Sequence, residues 1–440
     1  MYERVIKISD KKDLIISLNL FDDVEKILND YYHKLECLKD EMDINDIIAA
    51  VFIFAETYEY IIDKNKWNNI ILHELTFVRD RINEESLGSG LALFGGLSEL
   101  GLAIYILNKN TGYYTKLLKA LNQIITNSLS DVIEQYIQEI PNLKMQYYDC
   151  ITGISGIAAY LIHIEDKSNI PIIEKLLSYL VELTKKRNVD GNIVLGWHIT
   201  SENQFRPDEK IRYPKGNFNF GLSHGVAGPL AVLSLAYKKG IHVNGHKQAI
   251  SDIIEEYRLL AAYNSGCVYW PGQYSYENYL LNSKDFLMND NRMSWCYGSI
   301  GILRALKLGA EAINDNDLLK WVTDNVSQIA QMSIDKYIFM SPTICHGYAG
   351  LLSLLTIEYR ESNNQLLENR INELAKLIID SYDKSLKYGF VNIDEDFING
   401  SFQIIKTYNN SFLNGAAGIL LSLISLLKKE TMWEIHLLMK

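Results

Sequence analysis

Two kinds of helical segment alternate along most of the chain. Short segments that are apolar on nearly every side, such as residues 154–163, 226–236 and 351–357, are each followed by a longer segment with a single apolar stripe. The longer segments cover residues 116–138, 170–186, 246–262, 317–332 and 364–384. A helix that is apolar all round is buried, whereas a helix with one apolar stripe lies at the surface. The pattern therefore predicts an all-α fold, a closed double-layered α/α toroid of helical hairpins that forms one domain over residues 1–440.

The flanking and intervening regions follow other patterns. Residues 14–38 and 44–82 have apolar positions at three- and four-residue spacing and are predicted to be amphipathic helices, while residues 1–12 are polar and predicted to be loose. Three stretches interrupt the helices: residues 189–220, 264–293 and 388–412. Residues 189–220 combine short strand-like runs with turn residues, which predicts a small β-containing insertion on the rim, where binding elements usually lie.

Composition narrows the class of protein. The 440 residues are 48% hydrophobic and include only 7 Pro, which suits long helices and a large core. The first residues lack the order of a signal peptide, and no uncharged apolar stretch is long enough to span a bilayer, so a cytoplasmic protein that is not integral to the membrane is predicted. A net charge of −11 disfavours a nucleic-acid partner and would suit a cationic peptide. Five cysteines in so long a chain argue against a disulfide framework.

Each apolar segment from residue 96 onward begins at a Gly-x-x-Gly turn, and the first copy carries Glu99 in place of its second glycine. The first glycines of the six turns are Gly96, Gly153, Gly225, Gly298, Gly347 and Gly415. Glycine allows closely spaced helix starts to pack together and weakens the helix only at its first turn. Side chains capable of chemistry recur just before these glycines, which is typical of a site at the mouth of a repeat array.

Cys296, Cys345 and His346 precede two of these glycines and form a Cys₂His set. Two thiolates and one imidazole are a ligand set expected for a catalytic zinc ion with one open position. Two thiolates would neutralise Zn²⁺, which favours activation of an incoming thiol over activation of water. The alternative is that both cysteines are buried small hydrophobic residues beneath the helix starts.

His224 and Asp149 stand before the first glycines of two other turns. Imidazole exchanges protons near neutral pH, and a carboxylate can fix its tautomer. Each residue also has a structural interpretation, because Asp is a frequent helix N-cap and His224 could face solvent. Because both residues occupy the same repeat position as the zinc set, we favour the interpretation that they form a catalytic pair. Cys150 is predicted to be packed, and the remaining Cys and His residues lie outside the repeat.

At these residues the sequence resembles the lanthionine synthetase C-like family, and specifically the stand-alone cyclases of class I lanthipeptide biosynthesis. The resemblance extends from about residue 87 to the C-terminus and is carried by residues 148–156, 220–225, 292–298, 344–348 and 412–415, together with the insertion at residues 197–219. The departures are Glu99 and Pro229, and neither is a candidate ligand.

The resemblance implies a toroid of seven inner and seven outer helices, with zinc held by Cys296, Cys345 and His346 and with His224 and Asp149 close by. It also implies that Arg292 and Tyr297 line the site. The implied reaction is addition of a peptide cysteine thiolate to dehydroalanine or dehydrobutyrine, which closes a (methyl)lanthionine ring. The implied substrate is a dehydrated precursor peptide with leader and core, and the edge of the insertion is predicted to pair with the leader. A dehydratase and an exporter are candidate partners in a biosynthetic complex at the inner face of the membrane.

Three other classes of protein fit parts of the pattern. The first is a non-catalytic toroid that binds peptides and holds a purely structural zinc ion. A fourth protein ligand would favour this class, but no spare Cys or His lies in a motif turn. A prenyltransferase-like zinc toroid would use Asp, Cys and His as ligands, whereas this set is Cys, Cys and His. A carbohydrate-active toroid would need paired catalytic carboxylates, and only Asp149 qualifies.

Overall fold

A computed structural model describes residues 4–9, 14–39, 41–84, 90–264, 266–284, 293–398 and 401–440. Within these ranges the chain forms sixteen α-helices: α1 (Leu18–Leu38), α2 (Ile44–Thr57), α3 (Lys64–Glu84), α4 (Leu97–Thr111), α5 (Thr115–Gln138), α6 (Ile154–His163), α7 (Ile170–Thr184), α8 (Pro207–Arg212), α9 (Ala227–Lys238), α10 (His246–Leu260), α11 (Tyr276–Leu281), α12 (Ser299–Ile313), α13 (Asn316–Gln331), α14 (Tyr348–Ser362), α15 (Gln365–Asp380) and α16 (Ala416–Ile424).

Nine short strands complete the described secondary structure: β1 (Arg187–Val189), β2 (Asn192–Val194), β3 (His198–Ile199), β4 (Asn217–Asn219), β5 (Ala262–Asn264), β6 (Cys267–Tyr269), β7 (Gln273–Ser275), β8 (Asn392–Ile398) and β9 (Ser401–Thr407). They form three antiparallel hairpins, β1–β2, β5–β6 and β8–β9, and one antiparallel sheet in the order β3–β4–β7.

The two predicted kinds of helix are both present. Seven helices in the described ranges are buried over most of their length: α2, α4, α6, α9, α12, α14 and α16. Every residue of α6 and of α16 is buried, as expected for helices that are apolar on all sides. Seven further helices bury mainly one face: α1, α3, α5, α7, α10, α13 and α15. On α5, for example, the buried residues are Leu121, Ile125, Leu129 and Ile133, at intervals of four.

The chain divides into two compact units. The first comprises residues 1–88, 100–118 and 333–434, and in it α16 packs on α2 and α14, while α15 packs on α1 and α14. The second comprises residues 89–99, 119–332 and 435–440, and in it α9 packs on α6, α10 and α12, while α13 packs on α12. That residues 1–440 make a single domain stays a prediction.

Backbone hydrogen bonds join neighbouring glycine turns within each unit. In the second unit Phe94 N donates to Ile151 O (3.2 Å) and Cys150 N to Ser223 O (3.2 Å). The acceptor in each case lies two residues before the first glycine of its turn. The same rule holds for the remaining pairs: Leu222 N and Ser223 N to Cys296 O (2.7 and 3.0 Å), and, in the first unit, Ile344 N and Cys345 N to Leu413 O (3.2 and 3.0 Å).

The second glycine of several turns is required sterically. A Cβ on Gly156 would lie 2.2 Å from Cys150 O, and a Cβ on Gly301 would lie 2.1 Å from Trp295 O. The carbonyl belongs in both cases to the residue six positions earlier, and Gly418 repeats the relation with Phe412 O at 1.9 Å. A side chain at these positions would separate the helix start from its own turn, which explains the Gly-x-x-Gly pattern.

Three expectations about local structure need correction. Residues 4–9 are not loose, because Ile6 is fully buried and pairs with Ile61 in an antiparallel bridge. The predicted helix over residues 44–82 is interrupted between α2 and α3 by a 3₁₀ turn at Tyr58–Tyr60. The β-containing insertion at residues 189–220 also includes the helix α8, which the strand-like pattern did not predict.

Two of the predicted interruptions meet in one sheet. Strand β4, from the first interruption, pairs with β7 of the second in the register Phe218↔Tyr274 and Asn219↔Gln273. The chain segments around β4 are therefore fixed on both sides. Among the helices that the structure describes, none is both long enough and apolar enough to cross a membrane.

The departure at Glu99 leads to a prediction about pH and stability. Burial raises the pKa of Glu99 to about 7, although Gly95 N donates to its Oε2 at 2.6 Å. Between the ordinary carboxyl pKa and pH 7 the folded chain therefore keeps a proton that the unfolded chain has lost, so this group makes the fold less stable as pH rises. The free energy of unfolding of Glu99→Gln should therefore rise relative to that of wild type as pH increases from 5 to 8. The expected increase in this difference is on the order of 2 kcal/mol.

Urea unfolding at the two pH values measures this difference, with the exposed Glu430→Gln as control. Equal shifts for the two variants would show that folding does not raise the pKa of Glu99.

Candidate active site

Asp149 and His224 contact each other in the second unit. His224 Nδ1 lies 2.6 Å from Asp149 Oδ2. The Asp149 side chain is almost fully buried (1% exposed), whereas that of His224 is 28% exposed. A buried carboxylate thus holds one nitrogen of an imidazole whose ring is still open to solvent, which is the arrangement of an oriented acid or base.

Asp149 also fixes the turn that leads into α6, but the N-cap of that helix is Gly153, so the alternative interpretation of Asp149 as a helix N-cap is wrong. Its Oδ1 accepts hydrogen bonds from Thr152 N and Gly153 N, each at 2.8 Å. The first oxygen is thereby fixed by backbone amides, and the second is directed at His224.

The turn that carries Cys296 is held from two directions. Leu222 N and Ser223 N donate to Cys296 O, and Trp295 Nε1 donates to Leu437 O at 3.1 Å. Cys296 Sγ lies 3.6 Å from Ser294 Oγ, and the residue is 9% exposed. Since the carbonyl of Cys296 bonds to the residue next to His224, the thiol and the imidazole lie on directly connected turns.

The Tyr297 ring occupies a slot that only glycine permits. A Cβ on Gly221 would lie 2.5 Å from Tyr297 Cδ1, and a Cβ on Gly272 would lie 2.9 Å from the same atom. Asn219 Nδ2 donates to the Tyr297 hydroxyl at 2.9 Å, and Asn219 Oδ1 accepts from Gly221 N. Burial raises the pKa of Tyr297 well above the ordinary tyrosine value. Tyr297 is thus a neutral, fixed neighbour of His224, with ring centroids 6.4 Å apart.

Cys345 and His346 lie on one turn in the first unit, directly before α14. Cys345 N donates to Leu413 O, and both residues are half-buried. His346 Nε2 lies 3.5 Å from Asp394 Oδ2 on strand β8. Cys345 and His346 thus lie in a turn and not in a helix, as two adjacent residues that bind one metal ion would require.

Cys345 and His346 of the first unit and Cys296 of the second supply the imidazole and the two thiols of the predicted ligand set. Two sulfurs and one imidazole nitrogen are suitable donors for zinc. Cys150 does not belong to the set. Burial raises the pKa of its thiol well above the ordinary value, and its Sγ lies 3.2 Å from Ser223 O, so it is packed as predicted. Arg292 lies outside the described residues.

Several neighbours of the site were not predicted. Asn219 and Gly272 position Tyr297, Asp394 approaches His346, and Phe205 lies with its ring centroid 6.2 Å from that of His224. Asp394 resembles the other acidic residues of its strand in sequence, and nothing in the local pattern distinguishes it. Gly272 follows a proline, which signals a turn but not a role in the site.

Comparison with known proteins identifies the class. Residues 40–438 match the family model described as lanthionine synthetase C-like protein, and the chain belongs to this family. The resemblance predicted from the glycine turns is confirmed, and so is the class of enzyme, a lanthionine-forming cyclase.

Two relatives support this assignment. The chain is 26% identical over 414 residues to the nisin biosynthesis protein NisC of Lactococcus lactis subsp. lactis, which covers 89% of this chain and 93% of the relative. It is similar in structure to nisin cyclase, with a TM-score of 0.79, 22% identity and coverage of 96% of this chain and 98% of that one. Nisin cyclase is an α/α toroid, so the predicted all-α toroid class is confirmed, while closure of the helices into a ring stays a prediction.

The slot around Tyr297 generates a prediction. Gly221→Ala should destabilise the protein by about 1–3 kcal/mol, because the new methyl group and the ring cannot share the space. Gly228→Ala is the matched control and should cost less, since its Cβ would lie 3.2 Å from the nearest atom, Leu222 O, which is a tight contact but not an overlap. In a Tyr297→Ala background the cost of Gly221→Ala should largely disappear.

Urea unfolding of the four variants completes the double-mutant cycle. Additive losses would show that Gly221 is needed for a reason other than the Tyr297 ring.

Proposed function

We propose that this protein is a zinc-dependent cyclase that adds cysteine thiolates of a dehydrated precursor peptide to dehydroalanine or dehydrobutyrine residues of the same peptide. The hydrogen bond between His224 Nδ1 and Asp149 Oδ2, beside the turn that carries Cys296, is the observation that carries the proposal. It supplies an oriented proton donor next to a candidate metal ligand, as the final step of this addition requires.

Cys296, Cys345 and His346 would hold the zinc ion. The set has the donors that zinc prefers and leaves one tetrahedral position for a substrate. Zinc bound to two thiolates would supply a position at which the peptide thiol loses its proton and stays nucleophilic. The backbone bonds of Cys296 O and Cys345 N to neighbouring turns restrict the positions of both sulfurs before any metal binds.

His224 is the proposed proton donor. When the thiolate sulfur bonds to the β-carbon, the double-bond electrons move onto the α-carbon and its carbonyl as an enolate, and the α-carbon must then gain a proton. Asp149 accepts the Nδ1 hydrogen of His224, which leaves Nε2 to give that proton. The buried carboxylate thereby fixes the orientation of the imidazole ring. Tyr297, fixed by Asn219, would limit the movement of the imidazole and of the substrate.

The insertion provides a surface suited to a peptide. Three of its large apolar side chains are exposed, Ile193 (62%), Phe205 (68%) and Ile211 (85%), and the Phe205 ring faces that of His224 at 6.2 Å. We propose that core-peptide side chains pack on Phe205 while the leader contacts the remainder of the insertion. Strands β1 and β2 have three residues each, so strand pairing with the leader would involve only a short edge.

The proposed setting is the cytoplasm, where the precursor would be dehydrated before cyclisation. A dehydratase must act first because it creates the acceptor double bonds, and an exporter would remove the product. We propose that the three proteins form a complex at the inner face of the membrane.

Metal content tests the ligand set. The purified protein should contain about one zinc ion per chain. Cys296→Ala and Cys345→Ala should each lose it while far-ultraviolet circular dichroism stays unchanged, because the buried helices provide a core independent of the metal. Elemental analysis measures zinc, and Cys37→Ala is the control, since Cys37 is an exposed cysteine outside the set. Full zinc retention in both ligand variants would falsify the assignment.

A second experiment tests the proton donor. His224→Ala should retain zinc and bind the dehydrated peptide but close rings roughly 10²–10⁴-fold more slowly, the usual effect of losing an acid–base group. Asp149→Asn should show a similar defect with a shifted pH optimum. The assay counts free thiols of the peptide over time, with the exposed His242→Ala as control.

If His224→Ala consumes thiols at the wild-type rate, then the proton comes from another group, and Tyr297→Phe becomes the next variant. If the wild-type protein consumes no thiols, the proposed activity itself is wrong.

A further inference from the structure

The strand that carries Asp394 is fastened to the loop that leads into the Cys345–His346 turn. Ser341 Oγ donates to Asn392 Oδ1 at 2.9 Å, and Ile393 N lies 3.3 Å from Ser341 Oγ. Ser341 and Asn392 are both buried. The beginning of β8 is therefore fixed relative to a loop that ends a few residues before His346.

The pleat of the strand then determines the direction of Asp394. Side chains two residues apart point to the same face of a strand, so Asp394 lies on the face of Asn392 that meets this loop. Its Oδ2 lies 3.5 Å from His346 Nε2, and its Oδ1 accepts a hydrogen bond from Glu395 N at 2.9 Å. One oxygen is held by the backbone, and the other lies at ion-pair distance from the imidazole, beyond a hydrogen bond.

A carboxylate at Nε2 has a consequence for the ring. A neutral imidazole carries its hydrogen on one nitrogen and offers a lone pair on the other. Asp394 favours the form with hydrogen on Nε2, and this leaves the lone pair of Nδ1 for a metal ion. Histidines that bind metals commonly have such a partner, which orients the ring and strengthens its donor nitrogen.

We propose that Asp394 is a positioning residue for His346, which selects Nδ1 as the ligand atom and tightens zinc binding without contacting the ion. The inference rests on the proposed zinc site and extends it to a residue of the β8–β9 hairpin. It assigns that hairpin a function, since its first residues place a carboxylate over a candidate ligand.

Zinc affinity tests the inference without any measurement of cyclisation. The full-length wild-type protein, Asp394→Asn, Asp394→Ala and Glu395→Gln are titrated with zinc in competition with a chromogenic chelator at one pH. Asp394→Ala should bind zinc about 10–100-fold more weakly, and Asp394→Asn should lose less. Glu395→Gln, an exposed neighbour on the same strand, should match wild type. Thermal midpoints of the metal-free proteins should agree, which separates positioning from stability.

Cobalt(II) at saturating concentration gives a further readout, because its visible absorption reports the ligand set. The Asp394→Ala spectrum should match that of wild type. A changed spectrum would mean that Asp394 is itself a ligand, and equal zinc affinity of Asp394→Ala and wild type would mean that it does not position His346. Either result overturns the inference while the wild-type zinc content still supports the Cys₂His site. Absence of zinc binding by the wild-type protein would overturn both proposals.

Discussion

The candidate site depends on the backbone hydrogen bonds between glycine turns. Each acceptor carbonyl stands two residues before the first glycine of its turn, and each donor lies in the preceding turn of the same unit. These bonds set the position and orientation of the residues just before the glycines, where Cys296, Cys345, His224 and His346 all lie. A hydrogen-bonded backbone is a suitable support for chemistry, because it orients side chains without using their functional groups.

The features that the sequence predicted are those with a steric or periodic cause. Gly156, Gly301 and Gly418 recur because any side chain there would strike the carbonyl six residues earlier. The alternation of fully apolar and one-sided helices arises because buried and surface helices need different patterns. Since the chemically capable residues lie one to four positions before the first glycine of a turn, the pattern also identified the candidate ligands and the pair of His224 with Asp149.

The features that the sequence did not reveal depend on contacts between distant segments. Helix α2 is buried on all sides without a glycine turn before it, and its pattern resembled that of an amphipathic helix. Asn219, Gly272 and Asp394 take their roles from neighbours 78, 25 and 48 residues away along the chain. Neither periodicity nor a local motif records such a contact. The buried strand-like segment around Ile6 was missed for the same reason, since its partner is Ile61.

The role of the Cys296 carbonyl as a hydrogen-bond acceptor suggests how such a site can originate. Ile151, Ser223 and Leu413 serve as turn acceptors in the same way, yet none of their side chains is a metal ligand candidate. The fold thus requires only the backbone carbonyl of the residue two positions before the first glycine of a turn. The side chain of that residue is free to vary. A repeated fold of this kind can gain, lose or move reactive groups from turn to turn by single substitutions that leave its architecture intact. Stability and chemistry are encoded at neighbouring but separate positions, which makes the mouth of the repeat a place where new activities can arise at little structural cost.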